Sequence, residues 1–298
     1  TAPLDSGAVD AETALHRRVD LPSVRTYTVS GKLRIDPDQS DDRIDALLGV
    51  GGATMTSSSG LQGDARSRAS AALDGDDTTA WQSSINPEGP QWIDVVAPGA
   101  TTGTLDSLTV LADGRHSVPT RVHLEVDGVA QPAFDLPAAT DGPRGTTRVL
   151  RFDPQTFTGT RVRLVVDELR KVTAPEWLTH APTTLPLGIA EVGSDALQAL
   201  PTRTQPGLEG CHTDLVSRDG EAIGVKVAAL DEQALDAAGR GELVPFTGCD
   251  PSVVLPRGST RIDSADGRTT GLDVDQLAFA TTDAGSGSRS DSASGSVS

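Results

Sequence analysis

The run Asp74-Gly75-Asp76-Asp77-Thr78-Thr79, followed by Ala80 and Trp81, gathers carboxylate and hydroxyl oxygens around a glycine that lets backbone carbonyls turn inward. Hard oxygen donors of this kind suit calcium. The spacing is not that of an EF-hand loop, where acids alternate ahead of the glycine. The same residues would also form a solvated acidic turn before a core tryptophan, and spacing alone leaves both readings open. Little else in the chain could do chemistry. His16, His116, His123, His180 and His212 show no His-Glu-x-x-His spacing, and no Gly-x-Ser-x-Gly elbow, P-loop or Gly-x-Gly-x-x-Gly is present. With 42 acidic residues some pair falls at glycosidase distance in any fold, so no pair is singled out. This fragment is expected to be non-catalytic.

Cys211 and Cys249 are either a disulfide or two independent buried thiols. Metal binding is disfavoured, because neither has a second Cys or His at ligand spacing beyond the adjacent His212. A disulfide would close a loop of about 39 residues, contribute roughly 3–4 kcal/mol, and imply an oxidising, extracytoplasmic compartment.

The elements that must position these residues follow a period of two. In Tyr27–Ile35 the odd positions are apolar or Gly and the even ones polar, as in a strand with one buried face. Val122, Leu124 and Val126 alternate with Arg121, His123 and Glu125, which places His123 on a polar face; Val162, Leu164 and Val166 alternate with arginines and Asp167. Further strands are expected at 91–96, 105–111, 147–152 and 188–192. Short helices are expected at 41–48, 65–73 and 231–238, and hairpins at Ser217-Arg218-Asp219-Gly220 and Asp266-Gly267. The pattern is all-β, of the sandwich kind. The Pro-bearing stretch 200–207 reads as a linker. The block 205–282 is thin for a stand-alone sandwich and could recruit the 27–35 strand from the N-terminal segment 1–50.

The chain has 298 residues, enough for two domains, and 25 basic against 42 acidic side chains give a charge of −17. Such a surface argues against nucleic acid and anionic membrane surfaces as partners. No run approaches the roughly 20 apolar residues of a spanning helix, so no direct membrane insertion is expected. The start at Thr1 and the Gly/Ser-rich tail 283–298, expected to be disordered, read as cuts through a longer protein.

The pattern Ala72-x-Asp74-Gly75-Asp76-x-x-Thr79-x-Trp81, then Gln91-Trp92-Ile93-Asp94-Val95, resembles the F5/8 type C, or discoidin-like, domain, a fold shared with family 32 carbohydrate-binding modules. A Ser-rich approach, Thr56-Ser57-Ser58-Ser59, and a late strand, Ile189-Ala190-Glu191-Val192, extend the resemblance over about 140 residues, within a domain at 51–195. The resemblance implies a jelly-roll sandwich, beside a second, smaller β-sandwich carrying the cysteines. It further implies a structural calcium held by Asp74, the backbone near Asp76 and Asp77, Thr79 and Glu191. Trp81 and Trp92 would then be core. Ligand sites in this family lie in loops at one end of the sandwich, which points to Asp113, Arg115 and His116. Their acceptors and forked donors suit vicinal hydroxyls, although a charged surface turn would read the same. Trp177, in an irregular stretch with Pro on both sides, is either a packed loop anchor or a sugar platform.

The order of Tyr27-Thr28-Val29-Ser30-Gly31, an acidic helix ending in Leu47-Leu48-Gly49, the discoidin motif, Ala112-Asp113-Gly114-Arg115-His116-Ser117-Val118-Pro119, Leu185-Pro186-Leu187-Gly188 and Gly271-Leu272-Asp273-Val274-Asp275 is similar to the extracytoplasmic C-terminal region of actinobacterial arabinofuranosyltransferases. That resemblance implies a binding or acceptor-positioning piece of a membrane-bound cell-wall enzyme. Its partners would be an arabinan-type polysaccharide and the membrane-embedded catalytic part of the same parent. The alternative is a structural module with no sugar site.

Overall fold

The structure is a computed structural model, and it describes residues 14–281 except Trp177 and Thr179. The tail 283–298 and Trp177 therefore lie outside the described residues. Two curled eight-stranded sheets carry the fold.

The first sheet is organised by two long strands, Gln91–Leu111 and Thr147–Arg170, which pair antiparallel along most of their length. Their register slips between Arg151 and Gln155 and between Gly159 and Arg161. Such bulges bend a ladder, so each strand serves both layers. The Gln91–Val96 half pairs with Thr54–Ser57, and its partner Arg161–Val166 pairs onward with Val118–Val126. The Leu105–Leu111 half is flanked by Gly188–Gly193. Between the layers lie Trp81, Leu105, Leu108, Val122, Leu124 and Ile189, all 0–1% exposed.

The separated parts of the discoidin-like motif meet here. Gln91, 2% exposed, accepts from Ser58 Oγ (2.9 Å) and Ser59 Oγ (2.7 Å) through its side-chain oxygen, while Trp81 Nε1 donates to the Ser59 carbonyl at 3.0 Å. Trp92 departs from expectation. With Ile93 and Val95 facing inward, period-two alternation turns Trp92 outward, where the Arg163 guanidinium lies 4.2 Å from its ring.

In the second sheet the strand Arg25–Ile35 hydrogen-bonds to Val244–Gly248, Val253–Leu255 and Leu272–Thr281. Tyr27, Val29, Leu33 and Ile35 are buried. Gly31 keeps the same phase because nothing larger fits: a Cβ there would lie 2.1 Å from the Gln276 carbonyl and 2.3 Å from the Phe246 ring. The strand His16–Leu21 closes the far edge against Gly258–Ser264. Cys211 and Cys249 form a disulfide, Cα atoms 5.9 Å apart, that passes over Gly224 on the intervening strand.

Helix α1 (Asp41–Leu48) forms where expected and ends on Gly49 in the left-handed region. The 65–73 segment makes two short 3-10 turns instead of an α-helix. Helix α2 (Asp195–Gln198) follows the Glu191 strand, and α3 (Glu232–Gly239) packs with α1 on the second core. The Asp219-Gly220 hairpin is present, with φ of 49° and 84°. Asp266-Gly267 is not a hairpin; Asp266 caps α4 (Gly267–Thr270), its carboxylate accepting from the Arg268 amide. Nor is 200–207 a free linker. Thr202–Arg203 pairs with Val50–Gly51, and the amides of Thr204 and Gly207 donate to the carbonyls of Gly49 and Ala46.

Candidate functional site

The acidic turn follows the second 3-10 turn and runs up to the buried Trp81. Gly75 adopts φ 78° at its apex. Asp74 Oδ1 accepts from the Asp76 amide at 3.0 Å. Thr79 Oγ1 lies within 3.2 Å of the Ala71 carbonyl, both Asp74 carboxylate oxygens and the Asp76 carbonyl. A threonine hydroxyl has one proton to give. The cluster therefore holds more acceptor oxygens than its own donor can satisfy.

Glu191 completes this acceptor surplus from the strand Gly188–Gly193. It is 8% exposed; Gln198 Nε2 donates to Oε2 at 2.8 Å, whereas the buried Oε1 has no hydrogen-bond partner among the described residues. Burial first, and then the Asp74 charge, push its carboxyl up to about 7. Asp74, Thr79 and Glu191 are thus brought together with two backbone carbonyls. The Asp76 carboxylate turns away, accepting from the Thr78 amide (2.9 Å) and hydroxyl (2.6 Å), and Asp77 is exposed. Among the described residues, no group of three or more His, Cys, Asp or Glu side chains is placed to hold a metal. Any cation here would rely on two carboxylates, a hydroxyl and carbonyls, which is oxygen chemistry of the calcium type. Gln198 had no signal in the sequence, since only the turn into α2 brings it back to Glu191.

The second candidate, the loop 112–119, is held from within. Asp113 Oδ1 accepts from the Arg115 amide (2.9 Å) and lies 2.8 Å from His116 Nδ1, while Oδ2 accepts from the Gly145 amide (2.9 Å). Burial alone would raise the Asp113 carboxyl; these donors, led by Gly145 and His116, hold it below the usual range. His116 Nε2 reaches Gln82 Oε1 at 3.1 Å. Gly114 sits at φ 69°. Asp113 and His116 are therefore committed to the loop's own geometry. Arg115 projects from it, exposed, and its guanidinium has no partner among the described residues. His123 is bound to its neighbour strand, with Nδ1 2.9 Å from Asp167.

Comparison with known proteins gives a likeness of fold. No family model matches the chain and no curated protein does. Among solved structures, the cryo-EM structure of the arabinofuranosyltransferase AftD from Mycobacteria aligns with a TM-score of 0.63 at 16% identity, covering 93% of this chain and 21% of that one. A mutant of the same protein aligns with a TM-score of 0.62 over 92% of this chain, again at 16% identity. The family 32 carbohydrate-binding module of Clostridium perfringens NanJ, solved with galactose, aligns over 53% of this chain at 15% identity and a TM-score of 0.28. The chain spans about a fifth of the AftD length, 21%. What it shares with that part of AftD is the fold, both curled sheets included.

Proposed function

We propose that this chain is a non-catalytic, carbohydrate-binding and acceptor-positioning part of a membrane-bound arabinofuranosyltransferase that acts on cell-wall arabinan outside the cytoplasm. The observation that carries the reading is the likeness to AftD over 92–93% of the chain, which takes in both sheets. The disulfide fits an oxidising compartment. Among the described residues no helix is long and apolar enough to cross a membrane, so anchorage falls to the rest of such a parent. In this reading Asp113 and His116 hold the loop, Arg115 offers forked donors to sugar hydroxyls, and Trp177 supplies a platform, tested by substitution. Titration of the chain with arabinofuranosyl oligosaccharides, followed by NMR, tests it: shifts at Arg115 and His116 are expected, and their absence at millimolar sugar overturns the loop site. The internal bonding of Asp113 and His116 favours the second reading, a module that packs on the catalytic part or a partner with no sugar site.

We also propose that the acidic turn holds a structural calcium. Asp74, Thr79 and Glu191, with the carbonyls of Ala71 and Asp76, would bind it; the orphaned Glu191 Oε1 and the surplus of acceptors around Thr79 support this. The ion would supply the positive charge this set lacks. It would also tie the turn before Trp81 to the Glu191 strand.

A further inference from the structure

A cleft of about 710 Å³ opens beside the sandwich, between the approach to α1 and the loops that follow the Thr54–Ser57 and Trp81–Gln82 strands. Its size falls within the roughly 300–1,000 Å³ of small-ligand pockets. It shares no residue with the Asp113–His116 loop. Its walls are chemically mixed. Ser67 is 2% exposed, and its hydroxyl has no hydrogen-bond partner. Asp41 accepts from Ser57 Oγ at 2.7 Å, and Gln62 adds an exposed amide. Leu61 and Ile85, the latter 52% exposed, form an apolar flank.

Charge selects the ligand class. Asp38 and Asp41 line the cleft, together with Asp64, whose carboxylate is paired with Arg66. Arg68, the one arginine among the described residues of the lining, is already held by Asp45 at 2.9 Å. Phosphate, sulfate or carboxylate ligands would meet repulsion from Asp38 and Asp41, with no unpaired cation in the lining among the described residues to offset it. Hydroxyl groups suit these walls, because carboxylates accept from diols while serine and glutamine both donate and accept. A partly apolar flank suits the C–H face of a sugar ring. Among the described residues no aromatic lines the cleft, so affinity rests on hydrogen bonds and modest apolar contact.

We propose that this cleft binds a neutral oligosaccharide, lying between α1 and the sandwich, as a site separate from the Arg115 loop. Binding there joins the two sheet systems through one ligand, since Ile44 of α1 belongs to the second core while Thr56 and Ser57 lie on a strand of the first sheet. The inference does not depend on the loop site.

The test uses the full chain, isotopically labelled, with two probes: an α-(1→5)-linked arabinofuranosyl tetrasaccharide and the anionic trigalacturonate. The neutral probe is expected to shift the amides of Gln62, Ser84 and Ile85, and trigalacturonate to leave them unmoved. Gly60 lines the cleft, and a Cβ there meets nothing within 4 Å, so a side chain can leave the backbone at this point and Gly60→Trp narrows the space. That variant is expected to keep its melting temperature and weaken binding by about tenfold or more, whereas Arg115→Ala leaves the cleft shifts intact. Shifts confined to the Arg115 loop overturn the cleft site and leave the loop reading standing. Unchanged affinity in folded Gly60→Trp, or equal binding of trigalacturonate, also overturns it. Ile85→Ala, which removes the exposed flank, is the second variant should Gly60→Trp fail to fold; a loss of about threefold or more is expected, and unchanged affinity counts against the site.

Discussion

Arg68 Nε donates a 2.9 Å hydrogen bond to Asp45 Oδ1, joining the 3-10 turns of the sandwich to α1 of the second core. Both side chains are shielded, and the same Asp45 oxygen accepts from Ser70 Oγ at 2.6 Å while Oδ2 has no partner. Burial pushes the Asp45 carboxyl up to about 6, with the Arg68 charge opposing the rise. Removing one member of such a pair strands the other in a poorly solvated place. Arg68→Ala is therefore expected to cost roughly 3–5 kcal/mol in chemical denaturation. Asp45→Asn added to that background should recover part of the loss, and a single-variant cost near zero would show that the junction draws no stability from the pair.

The disulfide between Cys211 and Cys249 restrains an unfolded loop with a sequence separation of 38. Replacing both cysteines by serine is expected to lower stability by about 3–4 kcal/mol. Thermal melts in the presence and absence of reductant check this: the native chain should lose melting temperature on reduction and the double variant should not respond.

The chain's strands were legible because their burial is periodic. Tyr27, Val29, Leu33 and Ile35 declare a one-sided strand in any context, and Asp219-Gly220 supplies the positive φ values a tight hairpin needs. Asp266-Gly267 carries the same dipeptide yet starts a helix, because an Asp can cap as readily as it can turn. Trp92 differs from what the discoidin-like resemblance implies because its strand's phase, fixed by the buried Ile93 and Val95, turns it to the outer face. The site was legible only as far as local sequence reaches. Asp74 and Thr79 share one turn, but the Gln198 contact to Glu191 and the Gln82 contact to His116 depend on strands meeting across the sandwich.

The pH response of the acidic turn follows from Glu191. Its folded carboxyl titrates near 7 against an ordinary 4.5, so the native state keeps the proton while the unfolded chain releases it. Metal-free stability from this group is thus greatest below pH 4.5, declines as pH rises toward 7, and is level above that. The decline amounts to at most roughly 3 kcal/mol. Asp45, raised in the same direction, contributes a similar slope at lower pH, so the comparison to make is between the chelated native chain and Glu191→Gln. The variant should show a flatter stability profile between pH 5 and 8. Added calcium should raise the melting temperature of the native chain at pH 8 and leave Glu191→Gln nearly unmoved. Superimposable profiles with and without chelator would remove the calcium proposal.

Scaffold and contact separate cleanly in the loop 112–119. Asp113 takes the amides of Arg115 and Gly145 and the His116 ring, whereas the Arg115 guanidinium has no partner among the described residues. Hydrogen bonds to a buried charged group are worth about 1.5–3 kcal/mol each, and they are not additive. Asp113→Ala is therefore expected to lower stability by about 2–3 kcal/mol and to broaden the NMR signals of residues 113–117. Arg115→Ala should leave stability within about 0.5 kcal/mol of the native value, because its backbone amide bond to Asp113 survives. If the loop binds sugar, only Arg115→Ala separates affinity from folding: weaker arabinofuranosyl binding at unchanged stability. Equal affinity in that variant, with the loop intact, would favour a structural module in which Arg115 is an ordinary solvated side chain.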